Sequence, residues 1–173
     1  YINAETINEG IPPWVFSRYP QVAVVNRGER IQDFVSYQHP DYLSCVTRWY
    51  RAVFAVLTPR QVTRGGKIIM MQLDNEMGMI QWVRNMLDVN PDTLARMAAY
   101  VQDRYGRAAQ ERYPGGVLAE TLRAALSVPD HACGAQALED YKDFYRGYLR
   151  EYTQFLRTEA RANGLEVPEV INI

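Results

Sequence analysis

The sequence predicts an α/β fold in which about three parallel strands alternate with helices. Residues 68–73 form a short, nearly continuous apolar run bounded by glycines, which is typical of a buried parallel strand. Residues 41–57 and 138–162 repeat apolar side chains at helical spacing, and short extended segments occur at residues 1–5 and 167–173. This order of elements corresponds to two successive βα crossovers in one parallel sheet.

The composition is that of an ordinary globular protein. The chain has 173 residues and a formal net charge of -1, with 47% hydrophobic and 23% charged residues. This balance argues against a nucleic-acid partner and against a polybasic membrane-binding surface. No apolar run approaches the roughly 20 residues that a membrane span requires. We therefore expect neither nucleic acid nor a membrane as a partner.

The first element is a short predicted strand at residues 1–5. Asn3 and Glu5 share one side of it because side chains alternate along a strand. Two hydrogen-bonding groups on one side suit a polyhydroxylated ligand, whereas a solvated sheet edge is the alternative. Glycine and two prolines then predict a rigid turn that ends at Trp14. We expect Trp14 to pack in the core rather than to form a platform for a sugar ring.

The next stretch, residues 21–38, has mixed charges and little periodicity, and it is predicted to be a long loop. A helix follows, opened by His39, Pro40 and Asp41 and ended by Pro59. His39 is expected to cap or pack near the helix start rather than to act in catalysis. The predicted buried face of this helix contains Leu43, Val46, Trp49, Tyr50, Val53, Phe54 and Leu57.

The strand at residues 68–73 ends in three polar residues, Asp74, Asn75 and Glu76. We expect this strand to be covered on both faces. In parallel α/β folds, catalytic groups lie at the carboxyl ends of strands. A carboxylic acid beside apolar surroundings is a candidate general acid because burial raises its pKa. Capping of a helix N-terminus by Asp and Asn is the alternative, and the pattern alone leaves both open.

The remaining elements are mainly helical. Residues 77–88 are predicted to form a short helix or an ordered loop, and Pro91 and Asp92 start a helix whose apolar positions keep the helical period. A break at residues 106–116 precedes a helix at residues 117–126 and a loop at residues 127–135. The longest helix covers residues 138–162 and carries an apolar and aromatic face, and a strand follows it at residues 167–173. The aromatic face is expected to be a core face.

No metal or cofactor site is expected. Cys45 and Cys133 lie in unrelated contexts, and the pair formed by His131 and Cys133 lacks the further ligands that a zinc site needs. No glycine-rich phosphate loop follows a predicted strand, which argues against a nucleotide cofactor. Three parallel strands cannot close a barrel, and a (β/α)8 barrel needs roughly 250 residues. The chain is therefore expected to be a segment of a larger protein.

Four stretches of the chain resemble glycoside hydrolase family 35, the β-galactosidases. They are residues 1–5 with the turn at residues 10–14, residues 41–43, residues 65–78 and residues 167–172. The resemblance implies a retaining glycosidase on a (β/α)8 TIM barrel. Residues 1–173 would then be a segment of a single TIM-barrel catalytic domain, covering roughly strands three to five. One departure is Met77, where family members often carry an aromatic residue.

The resemblance also implies roles for individual residues. Glu76 would be the general acid/base, and Asn75 would hydrogen-bond the 2-hydroxyl of the sugar. Asn3 and Glu5 would bind galactose hydroxyls, and Asn172 would be a further substrate ligand. The nucleophile would come from the seventh strand, outside this segment, so the remaining barrel strands of the same protein would be needed and the segment alone would be inactive.

The substrate implied by the resemblance is a β-galactoside with a terminal galactose. Two alternatives remain open from the sequence. One is a retaining exo-glycosidase of another specificity, such as a β-glucosidase or an exo-glucosaminidase. The other is a catalytically degenerate barrel that only binds sugar.

Overall fold

A computed structural model describes residues 10–78, 80 and 84–171 of the chain. These residues form a mixed α/β structure with more helix than strand. The helices are α1 (Pro13–Arg18), α2 (Pro40–Leu57), α3 (Pro91–Tyr105), α4 (Ala109–Arg112), α5 (Ala119–Ser127) and α6 (Gly134–Ala162). The strands are β1 (Ala23–Asn26), β2 (Glu29–Val35), β3 (Met71–Gln72) and β4 (Glu169–Val170). None of the described helices is long and apolar enough to cross a lipid bilayer.

An antiparallel hairpin of β1 and β2 replaces the long loop expected at residues 21–38, so that prediction was wrong. The strands pair with Asn26 opposite Glu29, which leaves a two-residue turn of Arg27 and Gly28. Both turn residues have positive φ angles, 49° and 86°, and this conformation matches the twist of a hairpin. In β2 the first residues, except the half-buried Ile31, are exposed on both alternations, so no simple apolar period marks the strand, while Val24 and Phe34 are buried.

Helix α2 confirms the predicted helix after His39. The Nδ1 atom of His39 accepts a hydrogen bond from the backbone N–H of Asp41 at 3.3 Å, so His39 caps the helix as expected. The side chains of Tyr42, Val46, Tyr50 and Phe54 are buried, and Leu43, Val53 and Leu57 pack partly against the same core. Trp49 does not belong to this face: it is 54% exposed, because it lies beside the buried stripe rather than within it.

Helix α6 confirms the longest predicted helix and contributes five buried aromatic side chains to the core. Tyr141 stacks on Tyr145 with ring centroids 5.4 Å apart, and Tyr145 stacks on Tyr148 at 5.1 Å. Farther along the helix, Tyr152 packs against α2, and its hydroxyl lies 3.4 Å from that of Tyr42. The expectation that the aromatic face of this helix is a core face is confirmed.

Strands β3 and β4 pair in parallel, with Met71 opposite Glu169 and Gln72 opposite Val170. This pairing confirms two of the predicted strands, although each is shorter than expected. The prediction that residues 68–73 are covered on both faces was wrong for the described part of the chain. Met71 and Leu73 are buried in the main core, whereas Ile69 is 68% and Met70 is 50% exposed. Within the described residues, β3 therefore contributes Met71 and Leu73 to the main core.

Candidate active site

The candidate site lies at the carboxyl end of β3. The backbone N–H of Met71 donates to the carbonyl of Pro168 at 2.9 Å, and that of Leu73 donates to the carbonyl of Val170 at 3.0 Å. These two bonds keep β3 and β4 in parallel register up to Leu73. The polar residues Asp74, Asn75 and Glu76 follow at once. A rigid pair of strands therefore positions the start of this polar segment.

A compact hydrogen-bond network holds the first two polar residues. The Asp74 side chain is buried, and its Oδ1 accepts a hydrogen bond from the backbone N–H of Asn75 at 2.8 Å. The Nε2 atom of Gln72 donates to the Asp74 carbonyl at 3.1 Å and to Oδ1 of Asn75 at 2.9 Å. The sequence predicted residues 68–73 as a nearly continuous apolar run, in which Gln72 is the one polar residue, and assigned Gln72 no role. That single polar residue was the signal that could have identified it.

Glu76 stands in the turn after this network and has a φ of 52°. The left-handed region is unfavourable for a residue with a β-carbon, and such strain concentrates at functional sites. Two residues later, the backbone N–H of Gly78 donates to the hydroxyl of Tyr37 at 3.3 Å, and Met77 between them is buried. The turn that carries Glu76 is therefore attached to the protein on both sides.

If Asp74 and Asn75 instead cap a helix, that helix would lie in the segment after Gly78. Residues 79 and 81–83 of that segment lie outside the described residues. The cap interpretation therefore stays open beside the catalytic one.

Buried tyrosines support the end of β3 from the helix side. The hydroxyl of Tyr50 on α2 donates to the carbonyl of Leu73 at 2.9 Å. Burial, with the nearby Asp74 carboxylate as a further cause, raises the pKa of Tyr50 well above its ordinary value. The hydroxyl therefore stays protonated and available as a donor. Tyr37, which holds Gly78, packs against Tyr152 of α6 with ring centroids 4.9 Å apart. Sequence reasoning assigned no role at the site to Tyr37 or Tyr50.

A cavity of about 270 Å³ lies beside Leu73 and Asp74. Trp14, Trp49 and Tyr50 are among the residues that line it. Trp14 is 52% exposed, so the expectation that it packs in the core was wrong for the described residues. The short helix α1 turns Val15 and Phe16 inward and leaves the preceding Trp14 on the opposite side.

The structure brings together two of the five residues predicted for the site, Asn75 and Glu76. Asn3, Glu5 and Asn172 lie outside the described residues. His131 accepts a hydrogen bond at Nδ1 from the backbone N–H of Cys133 at 3.1 Å. Within the described ranges, no three His, Cys, Asp or Glu side chains are grouped so that they could hold a metal ion.

Two further buried carboxylates, Asp88 and Asp140, were not predicted. Asp140 on α6 accepts hydrogen bonds from Tyr105, Tyr113 and Arg112 at 2.7 Å to 3.0 Å. Asp88 accepts a bond from Thr93 at 2.7 Å, and its burial raises its pKa in spite of such bonds. Both carboxylates are tied to their neighbours within the core, so they serve packing rather than the site.

The site belongs to a mixed α/β structure with polar groups at the carboxyl end of a parallel strand, which is where α/β enzymes place their ligand-binding and catalytic groups. Comparison with known protein families shows which family of α/β proteins this chain belongs to. The model of glycosyl hydrolases family 35 matches residues 1–102, which include Asn75 and Glu76. The chain belongs to this family, which confirms the resemblance found in the sequence.

Individual relatives carry different activities in their names. The chain is 27% identical to a β-1,2-glucosyltransferase of Ignavibacterium album, over 100% of this chain and 25% of that protein. It is 37% identical to an exo-β-D-glucosaminidase of Thermococcus kodakarensis, over 44% of this chain and 10% of that protein. It is 33% identical to β-galactosidase 8 of Oryza sativa subsp. japonica, over 45% of this chain and 10% of that protein. The chain thus spans a quarter or less of the length of these relatives.

Proposed function

We propose that the whole protein, meaning the polypeptide that contains this chain, is a retaining glycoside hydrolase that releases terminal β-linked galactose from β-galactosides. Glu76 is its general acid/base. The observation that carries this proposal is the position of Asn75 and Glu76, directly after the parallel strand β3 and inside the region that matches the family. Catalytic groups of barrel enzymes lie at the carboxyl ends of strands.

In the proposed mechanism, Glu76 first protonates the glycosidic oxygen as the bond to the leaving group breaks. It then removes a proton from the water that releases the sugar from the enzyme. Asn75 hydrogen-bonds the 2-hydroxyl, a contact that strengthens in the oxocarbenium-like transition state. Asn3, Glu5 and Asn172 bind further hydroxyls of the galactose. The chemistry uses two carboxyl groups and no cofactor.

The second carboxyl group comes from the rest of the protein in this proposal. A retaining enzyme needs a nucleophile about 5–5.5 Å from the acid/base. We propose that residues 1–173 are part of one (β/α)8 barrel whose remaining strands supply that nucleophile. The same strands cover Met70 and Val170, which are 50% and 44% exposed here. The segment alone is then inactive.

The glucosaminidase relatives favour a second candidate, an exo-glycosidase that removes glucosamine. The glucosyltransferase relative favours a variant of the same chemistry in which a sugar hydroxyl replaces water as the acceptor. To distinguish these candidates, kcat/KM is measured on an aryl β-galactoside, an aryl β-glucoside and an aryl β-glucosaminide. Each assay is run with and without an added disaccharide acceptor. We expect the highest kcat/KM on the galactoside.

The test of the acid/base assignment is Glu76→Gln in the whole protein. We expect turnover of an aryl β-galactoside with a poor leaving group to fall by about 10² to 10⁴, the usual contribution of general acid catalysis. A substrate with a good leaving group needs no acid in the first step, and azide as an external nucleophile should restore its turnover. Glu120→Gln, at an exposed position of α5, is the control and should leave turnover unchanged.

Unchanged turnover of the poor substrate in Glu76→Gln would contradict the assignment. A whole protein that binds galactose but hydrolyses none of the aryl glycosides would instead support the degenerate sugar-binding barrel.

A further inference from the structure

The hydrogen bond between the side-chain amides of Gln72 and Asn75 determines how both amides are oriented. Gln72 Nε2 lies 3.1 Å from the backbone carbonyl oxygen of Asp74 and 2.9 Å from Oδ1 of Asn75. Gln72 stands on β3, where it is held in register opposite Val170. Its amide therefore reaches forward from a rigid strand to the residue beside the candidate acid/base.

The polarity of this contact follows from the chemistry of the three groups. A backbone carbonyl oxygen only accepts hydrogen bonds, so the part of the Gln72 amide that faces the Asp74 carbonyl must be its NH2 group. An NH2 group only donates, so the part of the Asn75 amide that faces it must be the carbonyl oxygen. One backbone oxygen thus determines the orientation of both amides. The NH2 group of Asn75 is consequently turned away from Gln72.

The backbone of Asn75 is held as well. Its N–H donates to the buried carboxylate of Asp74 at 2.8 Å. With the backbone fixed by Asp74 and the amide oxygen fixed by Gln72, a rotation of the Asn75 side chain has to break the hydrogen bond to Gln72. Such restraint is the kind of support that keeps a substrate-binding group in its productive geometry.

We infer that Gln72 is a positioning residue that orients the Asn75 amide so that its NH2 group, and not its oxygen, meets the 2-position of the sugar. This inference rests on the proposed function, in which Asn75 contacts the 2-hydroxyl. A hydroxyl oxygen accepts from an NH2 group, whereas a protonated 2-amino group has only donors to offer. The orientation therefore selects sugars with a 2-hydroxyl against 2-amino sugars, because two donors that face each other leave both unpaired.

The experiment measures kcat/KM of the whole protein on three aryl glycosides, namely a β-galactoside, its 2-deoxy analogue and a β-glucosaminide. Gln72→Met keeps the approximate side-chain volume and removes the donor. We expect a loss of about 10-fold to 100-fold on the galactoside, as for other misplaced contacts, and little loss on the 2-deoxy analogue. In the background of Asn75→Ala, Gln72→Met should cause no further loss, since it acts through Asn75.

A second variant keeps the test valid if Gln72→Met folds poorly. In Gln72→Glu the carboxylate accepts from the Asn75 NH2 group and turns Oδ1 toward the sugar. The ratio of kcat/KM for the galactoside to that for the glucosaminide should then fall. Gln61→Met is the matched control: Gln61 is buried at the opposite end of β3, beside Ile68, and its amide binds the backbone of Gly164 at 2.8 Å and Glu166 at 2.7 Å. It should lower thermal stability without changing these ratios.

The outcomes separate the two proposals. If Asn75→Ala leaves the preference for the 2-hydroxyl intact, the proposed role of Asn75 fails and the inference falls with it. If Asn75→Ala removes that preference but Gln72→Met behaves like the wild type, or its loss adds fully to that of Asn75→Ala, the inference alone is overturned.

Discussion

The backbone of Glu76 has an unfavourable conformation, and the proposed catalytic role of this residue gives a reason for it. A φ of 52° is unfavourable for glutamate by roughly 1–2 kcal/mol, whereas asparagine adopts this region more readily. A carboxylate is nevertheless placed there, in the turn after β3. Strained residues of this kind persist where the surrounding structure holds them for a function.

This strain leads to a prediction about stability. Glu76→Asn and Glu76→Gln both remove the carboxylate and should both impair turnover. The asparagine variant should be more stable than the glutamine variant by about 0.5–1 kcal/mol, because it relieves part of the backbone cost. Urea unfolding of the two variants measures the difference. The order should reverse at Glu139, an exposed residue inside α6, because asparagine is the poorer helix former. Equal stability of Glu76→Gln and Glu76→Asn would contradict the idea of strain.

Asp140 is a buried charged residue that joins several helical segments of the chain. It is 1% exposed, and it accepts hydrogen bonds from Tyr105 at the end of α3, from Arg112 of α4 and from Tyr113. Burial acts to raise the pKa of Asp140, but the hydrogen bonds from these three residues outweigh it and the pKa lies below its ordinary value. One carboxylate therefore fastens the segment between α3 and α5 to α6.

We predict that Asp140→Asn destabilises the fold by about 2–3 kcal/mol at neutral pH, as expected when a buried charged hydrogen-bond partner is lost. The folded-state pKa lies below the unfolded value of about 3.9, so this stabilisation is fully present above that value. It is lost as the pH falls through the folded-state pKa. Unfolding free energies measured from pH 7 to pH 2 test this dependence.

Asp143→Asn is the matched control for Asp140, one turn farther along α6. Asp143 pairs with Arg104 at 2.8 Å and with Arg146, and all three side chains are at least a third exposed. Its loss should cost less than about 1 kcal/mol, as is usual for surface ion pairs. Equal losses of stability for Asp140→Asn and Asp143→Asn would show that the buried network stabilises the fold no more than a surface ion pair.

At the scale of elements, the loop before β3 determines where that strand begins. The backbone N–H of Gly66 donates to the carbonyl of Gln61 at 2.8 Å, and that of Ile68 donates to the carbonyl of Arg60 at 2.9 Å. A β-carbon at Gly66 would overlap the backbone carbonyl of Arg60. At the neighbouring Gly65, a β-carbon meets open space, and only the φ of 80° disfavours it.

The two glycines therefore provide a matched pair of substitutions. Gly65→Ala should cost about 1 kcal/mol, the usual penalty for an alanine in the left-handed region. Gly66→Ala should cost clearly more, because the loop backbone has to move away from Arg60 and carries the start of β3 with it. Thermal unfolding midpoints measure both effects. A larger loss for Gly65→Ala would show that the close approach to Arg60 is not what requires glycine.

The helices were largely predictable from the sequence because local signals mark them. His39, Pro40 and Asp41 marked the start of α2, and a repeated apolar period identified α3 and α6. The hairpin of β1 and β2 was not predicted, since its turn places Arg27 in a conformation that arginine rarely adopts. Residues 87–89 also bond to β1, for example through the N–H of Val89 to the carbonyl of Val25 at 2.7 Å. Such distant contacts leave little trace in a local pattern.

The sequence predicted the part of the candidate site whose residues are neighbours in the chain. It did not predict the residues that only tertiary contacts bring to the site. Asn75 and Glu76 follow an apolar run and match a known family. The supporting tyrosines, Tyr37 and Tyr50, reach the end of β3 only through the packing of α2 and the hairpin. Asp140 had a detectable signal, because it lies three residues after the buried Ala137 and four before the buried Phe144, on the inner face of α6.

At the scale of the molecule, the two faces of the parallel pair differ in what covers them. Met71 and Leu73 point into the core, and the alternation of side chains places Met70 and Gln72 on the other face together with Val170. Met70 and Val170 on that face are 50% and 44% exposed. In the barrel that we propose, this second face is the interior, closed by the remaining strands of the same protein.

One substitution should therefore have different consequences in the 173-residue chain and in the whole protein. In the chain by itself, Met70→Glu places a charge at a half-exposed site and should change stability by no more than about 0.5 kcal/mol. In the whole protein the same carboxylate would be buried in the barrel without a partner, and we expect a loss of several kcal/mol or no soluble product. Unfolding midpoints and soluble yield of both forms measure the contrast.

Val128→Glu serves as the control, because Val128 follows α5 at a position that is 53% exposed and lies away from the sheet. It should be tolerated in both forms. If the whole protein accepts Met70→Glu as readily as Val128→Glu, then the second face of β3 is open to solvent there, and no further strands close over it. The nucleophile would then have to reach Glu76 from another architecture, since a barrel brings its two carboxyl groups together only by closing over this face.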